Sequence, residues 1–131
     1  MLKKNHRFHG YNSLHYVYQH GQTAKDPALT LRYCTNKKRR SYRVAVVVSK
    51  KVNKSAVKRN RIRRRLYQFV SLNQDKITKP YDIVLNVVSE EIANMPVEQL
   101  KNVLKKLFSQ TDIFGQAANP VPRVIVNKKE A

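Results

Sequence analysis

One acidic residue, Asp26, stands in the first 74 positions, against nineteen lysines and arginines. A surface kept only for solubility intersperses both signs, so this shortage of carboxylates argues against one. It also leaves little material for acid–base catalysis. Tryptophan is absent, which deprives a membrane-surface helix of its bulky anchors. No apolar stretch approaches the ~18 residues of a membrane span, and the polar start Met1-Leu2-Lys3-Lys4-Asn5-His6-Arg7 lacks the apolar segment of a secretory signal. Cys34 is the single cysteine, which excludes an internal disulfide and fits a small hydrophobe in a reducing, cytoplasmic compartment. The three glycines, Gly10, Gly21 and Gly115, are too scattered for a phosphate-cradling loop. His6, His9, His15 and His20 lack the partner spacing of a zinc finger, and Glu90-Glu91 reads as a solvated turn. No catalytic set, metal site or protein-bound cofactor is expected.

Cations are abundant instead. Nine of the sixteen residues from Lys50 to Arg65 are lysine or arginine, and none is acidic. On a helix, Arg59 and Arg63, Arg61 and Arg64, and Arg61 and Arg65 become like-charged neighbours, each pair costing a few tenths of a kcal/mol. A polyanion offsets that cost by releasing condensed counterions to the basic side chains. The formal net charge is +19 over 131 residues, yet residues 75–131 carry eight cations against seven acids. The binding face therefore belongs to the N-terminal half. A DNA regulator would bring a base-reading recognition helix and a dimer surface, neither of which is evident, so RNA is the expected partner.

The chain fits one domain, with a folded core of about 8–115 and loose tails at 1–7 and 116–131. Phe8, Tyr11, Leu14, Val17 and Tyr18 recur at helical spacing, and Gly21 stands where that helix would end. Strands are expected over Ala28–Cys34 and Tyr42–Val48, joined by a basic hairpin loop from Asn36 to Ser41, the second strand being apolar enough to be central. Thr23 to Asp26 has room for a short extra strand. A basic helix follows from the N-cap Ser55 to about Val70. Its wheel gives Ile62, Leu66 and Phe69 as the packing stripe, turns Asn60, Arg64 and Tyr67 away from it, and lays the stems of Arg59 and Arg65 along its edges. Arginines at the positive end of that helix point to a nearby anion. Asp82–Val88 is a further strand. Pro96 opens a last helix with Val97, Leu100, Val103, Leu104, Leu107 and Phe108 on its apolar face, and Gly115 follows. The order helix, strands, helix, strand, helix gives an α+β fold, a small two-layer α/β sandwich with helices on one face of a mixed sheet. Tyr11, Leu14 and Tyr18 form one stripe of the first helix. That stripe is either core or, beside the basic helix, the floor of a cleft where unpaired bases stack.

Ser49-Lys50-Lys51-Val52 and Ala56-Val57-Lys58-Arg59-Asn60-Arg61-Ile62-Arg63-Arg64 resemble the signature of the protein subunit of bacterial ribonuclease P. The resemblance extends through Tyr18-Gln19-His20-Gly21, the strand Tyr42 to Val48, Tyr81-Asp82-Ile83-Val84 and the last helix, covering about residues 8–114. It implies a ribosomal protein S5 domain 2-like fold with a left-handed βαβ crossover. The implied function is that of an accessory subunit in a ribonucleoprotein that removes the 5′ leader of precursor tRNA. The catalytic site and its Mg2+ would lie in the RNA subunit, and neither membrane nor DNA would be a partner. The resemblance assigns Lys50, Lys51, Lys58, Arg59, Asn60, Arg61, Arg63, Arg64 and Arg65 to the catalytic RNA. It assigns Leu14, Tyr18, Arg32 or its neighbour Tyr33, Arg59, Asn60 and Phe114 to the leader cleft. Leu14 departs from the family's aromatic, Arg65 from an apolar residue and Tyr67 from a frequent arginine. Val52-Asn53-Lys54-Ser55 replaces a shorter Gly-Asn link and leaves Asn53 as the residue tolerant of a left-handed turn. A ribosomal protein is the main rival and would bind ribosomes without affecting tRNA ends; a stand-alone nuclease would cleave RNA by itself.

Overall fold

The computed structural model describes residues 6, 7 and 11–115, with backbone alone at 11–13. Phe8 and His9, and the segment from 116 onward, lie outside the described residues. The elements are α1 (Tyr11–His20), β1 (Gln22–Lys25), β2 (Leu29–Thr35), β3 (Arg43–Val47), α2 (Ala56–Leu72), β4 (Tyr81–Val87) and α3 (Val97–Ser109), with 3-10 turns at Gln74–Lys76 and Glu90–Ala93. The strands form one mixed sheet in the order β1-β2-β4-β3, in which β3 is parallel to β4 and the other pairs are antiparallel.

This order corrects two expectations. The basic loop is not a hairpin, because β4 lies between the strands it joins, and β3 is an edge strand despite its apolar sequence. The true hairpin joins β1 to β2 around Asp26, whose carboxylate accepts from the Ala28 amide. Apolar β3 tolerates the edge because neighbours cover it: Arg7 forms a parallel bridge with Val44, and the Tyr67 hydroxyl accepts from the Val46 amide. Tyr67 is thus buried against β3 rather than turned outward. His6 stacks on Tyr42 at 4.2 Å and pairs through Nδ1 with its carbonyl, so His6 and Arg7, both within the expected tail, are held on the sheet.

Strand alternation sorts the two faces. Leu29, Leu31, Tyr33, Val44, Val46, Ile83, Leu85 and Val87 point to the main core, where Ile62, Leu66, Phe69 and Val70 of α2 meet Leu100, Leu104, Leu107 and Phe108 of α3. Val97, expected on that face, is mostly exposed. The alternate residues Cys34, Val84, Ala45 and Val47 pack with Leu14 and Val17 of α1. The helices therefore occupy both faces of the sheet rather than the one face expected, α1 opposite α2 and α3. Helical periodicity identifies the apolar side of α1 but carries no information on which sheet face receives it.

Local chemistry fixes the element ends. The Ser55 hydroxyl caps α2 by accepting from the Lys58 amide, and the Asn53 side chain accepts from the Ser55 amide. Asn53 does so without a left-handed turn, since no non-glycine residue among those described has positive φ. Gly21 serves close approach: a Cβ there would lie 2.5 Å from the Val17 carbonyl oxygen and 2.9 Å from that of Tyr33. Both obstacles are backbone, so Gly21→Ala is expected to cost about 1–3 kcal/mol in urea unfolding, the range of overpacked sites. A change of under a few tenths would show that α1 shifts freely on the sheet.

Candidate RNA-binding faces

A groove of about 590 Å3 runs where α1, β3 and α2 converge. Leu14, Ala45 and Val47 give it an apolar floor, and Asn60, Arg63, Arg64 and Arg7 line its rim. Arg63 donates to the Asn60 side-chain oxygen at 2.7 Å, which orients both side chains at the rim. Beyond Leu14, on the same side of α1, the Tyr18 hydroxyl donates to the Asn86 side-chain oxygen at 3.0 Å. The Arg32 guanidinium carbon lies 5.0 Å from the Tyr18 ring centroid, within cation–π range. Tyr18 is 37% exposed and Val17 is 0% exposed, so Val17 is the residue that anchors the helix. Cations, a fixed aromatic edge and an apolar floor together suit a single strand, whose phosphates and unpaired bases need different partners.

A family model described as Ribonuclease P matches residues 2–112. The chain belongs to the ribonuclease P protein family. Its members are the protein components of a tRNA-processing ribonucleoprotein. The chain is 34% identical over 103 residues to the ribonuclease P protein component of Chloroflexus aurantiacus, covering 79% of this chain and 75% of that one. It is 30% identical over 113 residues to the corresponding component of Synechocystis, with 86% and 90% covered. The fold resembles the RNase P protein of Staphylococcus aureus at a TM-score of 0.75 and 23% identity, over 84% of this chain and 98% of that one. The Thermotoga maritima RNase P protein gives a TM-score of 0.66 at 21% identity, over 75% and 90%. The helix-strand-helix-strand-helix order expected for this family is the order observed, with β3, α2 and β4 forming its parallel crossover unit.

Within the family, the residues assigned from sequence do not all converge. Leu14, Tyr18 and Arg32 share the α1 side of the sheet, and Asn60, Arg63 and Arg64 border the same region. Tyr33 does not join them, because adjacent residues of a strand face opposite ways. It is buried in the main core, edge-on to Tyr81, with its hydroxyl donating to the Gln22 side chain. Burial, reinforced by nearby Asp112, pushes its hydroxyl up to about 12. Phe114 is also on the main-core side, stacked on Phe108 at 4.7 Å.

The basic helix divides likewise. Lys50, Lys51, Lys58, Asn60, Arg61 and Arg64 are exposed. Arg59 turns back on its own N-terminal loop and donates to the carbonyls of Asn53 and Lys54. Arg65, expected among the RNA ligands, straps the fold here: its guanidinium donates to the carbonyls of Ile92 and Met95 at 2.6 and 2.5 Å. Burial, with Arg61 nearby, lowers its pKa. Sequence reasoning missed Asn86 and Arg7. The polar break at Asn86 in the apolar run from Ile83 to Val87 is a signal for the first; Arg7 carries none beyond its charge.

Among the described residues no group of three or more His, Cys, Asp or Glu could hold a metal ion, and no helix is long and apolar enough to cross a membrane.

Proposed function

We propose that this chain is the accessory subunit of a ribonuclease P holoenzyme, binding the catalytic RNA through α2 with its preceding loop and the 5′ leader of precursor tRNA along the α1 face. The observation that carries the reading is the groove where Leu14, Ala45 and Val47 meet Asn60, Arg63 and Arg64, because it couples the basic helix to an aromatic-bearing sheet face. Phosphodiester cleavage and its Mg2+ belong to the RNA subunit in this reading. The protein contributes charge: its cations screen repulsion between two RNAs and so lower the magnesium that the complex needs. The setting is cytoplasmic, with no membrane or DNA partner.

The reading is tested with precursor tRNA at low magnesium. Cleavage should require both the protein and a catalytic RNA, and robust leader removal by rigorously RNA-free protein would refute it. Leader contact has its own test. Tyr18→Ala should weaken holoenzyme affinity for leader-bearing tRNA about 5- to 150-fold, the equivalent of ~1–3 kcal/mol for one base stack, and leave mature tRNA unaffected. Equal losses for both substrates would assign Tyr18 to the fold.

A further inference from the structure

A second cavity, about 620 Å3 in volume, opens at the other end of the α1 face. Its walls include Tyr16 of α1, Lys37 and Lys38 of the β2–β3 loop, and Arg43 and Asp82 at the strand ends. We propose that it is a separate RNA subsite, taking the sugar–phosphate backbone of a single strand on its lysines with one base against Tyr16. The inference rests on the reading of this chain as an RNA-binding subunit, but uses none of the residues assigned above to the catalytic RNA or the leader.

Position makes the site distinct. Leu14 and Tyr16 stand about 200° apart around α1 at 100° per residue, so one helix presents a residue to each cavity. Arg43 and Val47 lie on one face of β3, separated by about 13 Å at ~3.3 Å per residue. A strand in the groove therefore does not occupy the second cavity.

Rigidity makes it a site rather than a loose basic loop. Asp82 is 3% exposed and accepts from Arg43 Nε at 2.9 Å and Nη2 at 2.8 Å. Asn36 donates from its side chain to the same carboxylate, and its amide donates to the Pro80 carbonyl. Its side-chain oxygen accepts from the Lys38 amide. The one carboxylate at the cavity is thus neutralised, and the loop carrying Lys37, Lys38 and Arg40 is tied at its base. Lys37 and Lys38 are exposed, no acid lies between Asn36 and Arg43, and the Tyr16 ring is 53% exposed beside His20. Cations on an anchored loop beside an exposed ring meet the two requirements for binding an unpaired strand. A phosphate held on a preorganised loop also loses less to ordering than one held on a mobile loop.

The strand could come from the catalytic RNA or from the distal leader, and the arms of one experiment separate them. The full chain carrying Lys37→Ala and Lys38→Ala is titrated with catalytic RNA. As holoenzyme it is titrated with precursor tRNA bearing a long or a short leader. In the arm that holds the strand, affinity should fall at least tenfold near 0.1 M salt and the log–log salt slope should flatten by about 1.4, at ~0.7 per lost contact. Tyr16→Ala should weaken the same arm with its slope unchanged. A loss confined to the long leader assigns the leader, and a loss with catalytic RNA assigns that RNA. Unchanged affinity in every arm overturns the subsite, as does a response to the cation variant without one to Tyr16→Ala. The parent protein and Tyr18→Ala, run in the same arms, report separately on the leader reading.

Discussion

Replacing Lys58, Arg61 and Arg64 together with alanine is expected to weaken binding of the catalytic RNA about a hundredfold at 0.1 M salt. The three side chains are exposed on α2, whereas Arg59 and Arg65 are committed to backbone carbonyls and Arg63 to Asn60. Each lost phosphate contact removes about 0.7 from the salt slope, which near 0.1 M corresponds to about 0.7 log unit of affinity, so three give roughly two. The helix itself should not suffer. Alanine is the strongest helix former, and removing Arg61 and Arg64 relieves like-charge repulsion on one face. Titration over a range of salt checks the result: an unchanged slope with a well-folded variant would mean that α2 faces water in the complex. Arg65→Ala is the contrasting control, since stripping donors from the carbonyls of Ile92 and Met95 should lower stability and leave the slope alone.

The second large effect concerns stability. Asp82→Ala removes the buried carboxylate that receives Arg43 through two nitrogens and Asn36 through a third. Taking one partner from a buried ion pair costs about 3–5 kcal/mol, because the remaining charge keeps its desolvation penalty. Asp82→Asn retains the size and part of the acceptor capacity and should cost less. Urea unfolding of the protein alone measures both. A loss below about 1 kcal/mol for Asp82→Ala would show that water solvates the Arg43 guanidinium and that the loop above it is not rigidly held.

The elements of this fold were legible where periodicity is long. α2 carries a cap at Ser55 and an apolar stripe at Ile62, Leu66 and Phe69, and both appear where the pattern puts them. The order of strands was less accessible, because pairing between β2 and β4 joins segments some fifty residues apart and nothing in either strand names its partner. Apolar β3 reads as central, yet its outer side is closed by side chains rather than by a strand. Site residues follow the same division. Leu14, Tyr18 and Arg32 lie together because helical and strand periods place them so, and the same strand period removes Tyr33. The intramolecular uses of Arg59 and Arg65 were foreshadowed only by their position at the edge of the apolar stripe. Composition counts a guanidinium as available charge whether it faces a phosphate or a carbonyl.

The covered edge of β3 has a consequence for how the chain survives in solution before it meets RNA. Val44-Ala45-Val46-Val47-Val48 is a run of high β-propensity, the kind of segment that templates cross-β stacking when its amides are open. In the folded chain Arg7 at Val44 and the Tyr67 hydroxyl at Val46 occupy that side, and Arg43 and Lys50 flank the run as charged gatekeepers. The chain's most β-prone segment is thereby kept from edge-to-edge self-association. Any shortening or fusion that displaces Arg7 would expose this run to aggregation without altering the basic face of α2.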